Sequence, residues 1–385
     1  MRRWLLPTPG AHLVQLDSLR AVAVLGVLVT HFLPRTTTFF QAGFFGVRLF
    51  FVLSGFLIVG ILLRAGGVGR LRALRQFYAR RFLRIFPAFY LVLALGVALA
   101  VPGIREGFGW YASYLSNFFF IFHFAHQRGN YAQPFWSLAV EEQFYLVAPA
   151  VVLFAARRHL KTILLCAAAA AIAYRAGSVY AGWNENAPTY APTACLDSLG
   201  LGALLAVTRF QGLSDRWTRW ALTLGLPLLT VYIADIVFTY HLPQDRLQHW
   251  SYRLLHYTPV FRDTAIALVS VWLVARASRG FAGVVGKALS SWPLVYVGTI
   301  SYGIYLYHFF VIWAFQHWFG WVREHYSNDA VYFFTLTAAT IGLATISWFA
   351  FERPINGLKR YFPYTDPQPA PATATGPKPL PVEVS

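Results

Sequence analysis

Gly46-Val47-Arg48-Leu49-Phe50-Phe51-Val52-Leu53-Ser54-Gly55-Phe56-Leu57-Ile58 carries a single charge. It lies inside the longer apolar run Phe44–Leu63, and one bilayer crossing takes about 20 such residues. Hydrocarbon offers the backbone no hydrogen-bond partner, so a crossing run of this kind folds as a helix. Further apolar runs follow the same pattern at Val14–Leu33, Phe82–Val101, Ser137–Ala155, Thr162–Ala181, Tyr190–Val207, Trp220–Tyr240, Pro259–Ala275, Pro293–His317 and Ala330–Ala350. The expectation is an all-α, polytopic membrane helix bundle with about ten transmembrane helices.

Composition points the same way. Of the 385 residues, 57% are hydrophobic and 12% charged, against roughly 25% charged in soluble proteins. The net charge is +17. Nucleic acid is not the expected partner, because the arginines sit in short clusters between apolar runs, the pattern that orients helices in a membrane. Cys166 and Cys195 fall inside apolar runs without metal-ligand spacing, so no metal is expected.

An eleventh run, Phe108–Phe124, is decided by charge. With the N-terminus cytoplasmic and this run not crossing, 22 of the 32 basic residues fall inside and seven outside. A crossing there would move the Arg157–Lys161 cluster outside. Ten spans with both termini cytoplasmic are therefore expected, with 108–133 as an interfacial or re-entrant segment. The first run lacks a small-residue cleavage site and reads as a retained span. Residues 1–362 are expected to form one membrane-embedded domain. Residues 363–385 hold seven prolines and read as a disordered cytoplasmic tail.

Charges inside spans cost about 2.5–3.5 kcal/mol each on insertion scales, which makes them functional candidates. In the first run Arg20 and His31 are separated by about three helical turns and share a face, roughly 16 Å apart. Asp17 can pair with Arg20. Arg48 lies one turn into the second run, flanked by Gly46 and Gly55, which permit close helix packing. Arg80, Arg81 and Arg84 open the third run on one side of a helix and suit phosphate groups. Glu141 and Glu142 follow Trp136 in the fourth run, about 100° apart, with Arg48 as an expected partner at similar depth. His308 lies within the ninth run, after Tyr302. Glu352-Arg353-Pro354 reads as a helix terminator with a local pair. Arg20, Arg80, Arg81 and Arg84 gather toward the cytoplasm, and His31, Arg48, Glu141, Glu142 and His308 toward the outside.

In these segments the chain resembles the acyltransferase 3 family, bacterial membrane-bound O-acyltransferases of surface glycans. The resemblance rests on Leu16-Asp17-Ser18-Leu19-Arg20-Ala21 with its histidine eleven residues on, Gly46 to Ile58, Arg80 to Pro87, Trp136 to Leu146, Ser301 to His308, and Glu352-Arg353-Pro354. It covers about Gln15 to Pro354. It implies localisation in the bacterial inner membrane, an acyl-coenzyme A donor (expected to be acetyl-coenzyme A) and a carbohydrate or glycolipid acceptor beside membrane lipid. It implies donor-phosphate contacts from Arg20, Arg80, Arg81 and Arg84, and His31 as general base. Glu141 or Glu142 would orient His31 or bind acceptor, and Arg48 would stabilise the oxyanion. Trp136, Tyr302 and His308 are expected to touch the acceptor. Many members have an acidic residue where this chain has Arg48, which puts a carboxylate role there in doubt. The fused esterase-like domain of some members is not expected here. A glycan transporter or flippase is the rival reading, set back by the lack of paired Gly/Pro-broken spans in matching halves. Haem ligation by His31 and His308 is a more distant one.

Overall fold

The computed structural model describes residues 13–33, 42–65, 69–123, 129–241, 244–320 and 328–364, with side chains left out over 238–259. The expected tail lies outside them apart from residues 363 and 364.

The described residues are predominantly helical, with no strand among them. In chain order the helices are α1 (Val14–Phe32), α2 (Ala42–Ala65), α3 (Arg70–Ala98), α4 (Phe108–Ala112), α5 (Ser116–Phe122), α6 (Phe135–Phe154), α7 (Leu160–Tyr180) and α8 (Ala187–Tyr190). They continue as α9 (Leu196–Phe210), α10 (Trp217–His241), α11 (Gln244–Ala277), α12 (Gly283–Leu289), α13 (Trp292–Thr299), α14 (Ser301–Phe319), α15 (Asp329–Ser347) and α16 (Arg353–Gly357).

Among the described residues, eight helical segments are long and apolar enough to cross a bilayer: α1, α2, α3, α6, α7, α9 with its 3₁₀ lead-in from Thr193, α10, and α15 with its continuation to Tyr361. The run expected at Pro293–His317 is split. α13 and α14 meet at a 71° bend and make a ninth span if taken together. The expected run Pro259–Ala275 falls within α11, whose Arg262 and Asp263 side chains are buried. Phe108–Phe124 forms the two short helices α4 and α5 of five and seven residues, neither long enough to cross.

Glycine sets the packing of the centre. A Cβ on Gly46 of α2 would stand 2.2 Å from the Ala23 carbonyl oxygen of α1. A Cβ on Gly55 would stand 2.0 Å from Leu199 O of α9, and one on Gly202 of α9 would stand 2.1 Å from Val52 O. The three backbones touch with no side chain between them, as small residues allow in membrane helices. The start of α1 is tied down by side chains. Ser18 donates to Leu289 O at 2.5 Å, and Gln15 donates to Phe281 O at 3.2 Å.

α15 runs into a π-helical turn, Trp348–Glu352, the kind of local widening found at functional sites. Glu352 does not pair with Arg353. It is buried and accepts from Ser347 Oγ at 2.9 Å, and Ser347 meets the Tyr307 hydroxyl at 2.7 Å. Arg353 lies over the Phe349 ring instead, 5.6 Å from its centroid.

Candidate active site

Helices α1, α2, α3, α6 and α14 enclose a cavity with about 790 Å³ of empty space, its mouth included. Arg20, Arg81 and Arg84 form its cationic part. Arg20 pairs with Asp17 at 2.6 Å, as the three-residue spacing predicts. The Arg81 guanidinium lies 4.8 Å from the Tyr145 ring centroid, a cation–π contact that fixes a long flexible side chain. Arg84 is within electrostatic reach of Arg20 and Arg81. Three guanidiniums so close repel each other, and a polyanion between them relieves that repulsion.

Arg80 is not part of this group. Its Nη1 donates to Lys359 O at 2.9 Å and Phe362 O at 3.1 Å, and the group lies 5.0 Å from the Tyr364 ring centroid. Arg81 and Arg84 line the cavity, while Arg80, on the same side of the helix, is drawn off by these carbonyls and fastens the segment after α16.

The carboxylates of α6 line the same cavity, within electrostatic reach of Arg81. Glu141 accepts from Ser54 Oγ at 2.8 Å, and the Tyr145 hydroxyl reaches Ser54 Oγ at 2.9 Å and Glu141 Oε2 at 3.2 Å. Glu142 lines the same cavity, as do Ser137, Tyr302 and Tyr305. Tyr302 donates to Ile85 O at 3.0 Å, linking α14 to α3. Tyr305 donates to Pro134 O at 3.1 Å and meets Ser137 Oγ at 2.6 Å.

Arg48 does not meet Glu141 or Glu142, and it does not line the cavity. It is fully buried on the other side of α2, bonded to Asp263 at 2.5 Å and 3.8 Å from Asp197. Arg175 bonds Asp197 at 2.6 Å, Thr264 at 2.8 Å and the Ala194 carbonyl. Arg262 bonds the second Asp263 oxygen at 2.8 Å. Arginine in a low-dielectric core needs counter-charge, and α9 and α11 supply two aspartates there. The expected oxyanion role for Arg48 is withdrawn on this placement. Trp136 is also drawn away from the cavity lining. It packs edge-on against Phe51 and Tyr190, with centroids 6.2 Å and 5.0 Å away, and is 7% exposed.

His31 and His308 form a pair at the far end of α1. His308 Nε2 lies 3.2 Å from His31 Nδ1, with ring centroids 5.1 Å apart. His308 Nδ1 lies 2.6 Å from the Tyr305 carbonyl oxygen, which can only accept, so Nδ1 carries the proton and Nε2 of the neutral ring is an acceptor. His31 Nδ1 then donates to it. By this assignment from the hydrogen-bond network, His31 Nε2 keeps its lone pair. The Tyr305 ring, which lines the cavity, lies 5.5 Å from that of His308.

The structure thus gathers Arg20, Arg81, Arg84, Glu141, Glu142 and Tyr302 around one cavity, with His31 and His308 one residue layer beyond. Sequence reasoning missed Ser54, Ser137, Tyr145 and Tyr305. Tyr145 follows Glu141 by four residues and Tyr305 follows Tyr302 by three, so helical spacing alone placed both on the right face. Among the described residues, no three His, Cys, Asp or Glu side chains are grouped to hold a metal ion.

The family model described as an acyltransferase domain matches residues 13–349. The peptidoglycan O-acetyltransferase OatA of Listeria monocytogenes is 32% identical over 378 residues, covering 90% of this chain and 56% of OatA. The Bacillus subtilis protein YrhL is 31% identical over 325 residues, 77% of this chain and 48% of YrhL. The chain therefore spans about half the length of these relatives. No solved structure matches it. With the family model spanning most of the sequence, the chain belongs to the acyltransferase 3 family.

Proposed function

We propose that this chain is a membrane-bound O-acyltransferase. In this reading it moves an acyl group, acetyl in the first instance, from cytoplasmic acyl-coenzyme A to a hydroxyl of a carbohydrate or glycolipid acceptor. The observation that carries it is one cavity lined by Arg20, Arg81 and Arg84 together with Glu141 and Glu142, in a chain of this family. Peptidoglycan is the first acceptor to test, because OatA is named for it.

The donor phosphates sit against Arg81 and Arg84, with Arg20 beside them, and the thioester end reaches toward Tyr305. His31 Nε2 takes the proton of the acceptor hydroxyl. The oxygen attacks the thioester carbonyl, the carbon–sulfur bond breaks, and the departing thiolate takes the proton back from His31. General base catalysis of this kind contributes about 10²–10⁴ in rate. Glu141, held by Ser54 and Tyr145, binds a second acceptor hydroxyl.

The test is transfer of labelled acetyl from acetyl-coenzyme A to surface glycan in membranes with and without the protein, read by mass spectrometry of the glycan. Transfer that depends on the protein and is lost in His31→Ala supports the proposal. Glycan movement without acyl transfer would instead establish the flippase reading.

A further inference from the structure

We infer that a second, strongly basic cavity binds the phosphodiester headgroup of an anionic phospholipid. It lies between the end of α9, the start of α10 and the end of α11, lined by Arg209, Asp215, Arg216, Arg219, Arg276 and Arg279, with Trp272 among its other residues. Five arginines face one carboxylate there.

That carboxylate is already committed. Asp215 is 2% exposed and accepts from Arg209 Nη2 at 2.8 Å and Nε at 3.2 Å, and it pairs with Arg279. Arg209 is itself buried and completes its bonds with Ala275 O at 2.7 Å and Ser278 Oγ at 2.6 Å. This makes a rigid floor that joins three helices. Among the described residues, Arg216, Arg219 and Arg276 have no ion-pair partner. Arg276 lies 5.5 Å from the Phe281 ring centroid, and Arg216 and Arg219 are exposed.

Charges that only orient a helix need no floor and no cavity. Here the positive excess is arranged around a hollow, which suits one anionic group more than a diffuse surface potential. The neighbouring surface favours a lipid over a free anion. Trp220, Leu224 and Val231 of α10 are 72%, 62% and 51% exposed. Spacings of four and seven residues keep them on one face of the helix. An apolar ridge therefore runs along α10 away from the basic hollow, matching an amphiphile with its head in the cavity and its acyl chains along the ridge. Basic pockets between membrane helices are known to take lipid headgroups in this way.

The test is native mass spectrometry of the purified full-length protein, with phosphatidylglycerol and phosphatidylcholine presented as a mixture. The wild type should retain phosphatidylglycerol about tenfold over phosphatidylcholine. The triple variant Arg216→Gln/Arg219→Gln/Arg276→Gln should retain both equally. Millimolar inorganic phosphate should leave the wild-type preference unchanged. Arg157→Gln/Arg158→Gln, which removes charge from a different cluster, should keep the preference. The inference fails if the triple variant still prefers phosphatidylglycerol, if inorganic phosphate displaces it, or if the Arg157/Arg158 control loses the preference as fully as the triple variant.

Discussion

His31 Nδ1 and His308 Nε2 meet at 3.2 Å although 277 positions separate them in the chain. The Tyr305 carbonyl sets the proton on His308, and His308 in turn sets the proton on His31. A lone histidine would divide its proton between two nitrogens. This pair directs one lone pair outward, the form a general base requires.

His308→Leu should therefore lower acyl transfer by about 10²-fold while protein level in the membrane stays normal. His308→Gln, whose side-chain oxygen can still accept from His31 Nδ1, should retain more activity than the leucine variant. Initial rates with labelled acetyl-coenzyme A in membranes measure both. Equal rates for His308→Leu and wild type would remove His308 from the account.

Replacing both Arg81 and Arg84 by Gln should weaken acyl-coenzyme A binding more than tenfold. Each lost charge-assisted hydrogen bond is worth about 1.5–3 kcal/mol. Arg80→Gln should leave that affinity within about twofold, because Arg80 bonds Lys359 O and Phe362 O outside the cavity. Equilibrium binding to purified protein checks both, and an unchanged affinity in the double variant would refute the donor assignment.

Asp263→Ala should destabilise the bundle by about 3–5 kcal/mol, the cost of leaving a buried arginine without its partner. Asp263 bonds Arg48 at 2.5 Å and Arg262 at 2.8 Å at once. Thermal unfolding in detergent should show a lower midpoint. An unshifted midpoint would mean that the cluster is not structural.

Gly55→Val should be destabilising by about 1–3 kcal/mol through overpacking, since even a Cβ would stand 2.0 Å from Leu199 O. Gly109→Ala should be close to neutral, as nothing lies within 4 Å of its Cβ position. Unfolding midpoints for the two variants compare a closed contact with an open one.

The helices themselves were readable because a bilayer crossing is written in twenty consecutive residues. So was the Asp17–Arg20 pair, three residues apart on one helix. The bend between α13 and α14 was not, because Gly298-Thr299-Ile300-Ser301 marks it only with small and hydroxyl residues, which unbroken membrane helices also carry. The partners of Arg48 were out of reach for another reason. A charge in a span announces that it needs a counter-ion, but Asp263 is 215 positions away, and depth alone made Glu141 and Glu142 look equally suitable. Arg80 was grouped with Arg81 and Arg84 by spacing, and what separates it is a set of partners 279 and 282 positions away, Lys359 O and Phe362 O. Trp136 was placed at the acceptor because it precedes the carboxylates, yet its indole is taken up by Phe51 and Tyr190.

The glycine contacts around α2 have a mechanical consequence. Sliding α2 past α1 or α9 by a single residue would drive a side chain into a space that admits only hydrogen. α1, α2 and α9 therefore behave as a keel, immovable relative to one another. α3 and α14 face the keel across the cavity through long side chains such as Arg84 and Tyr302, which have other rotamers to adopt. Any breathing that widens the cavity belongs to that far wall.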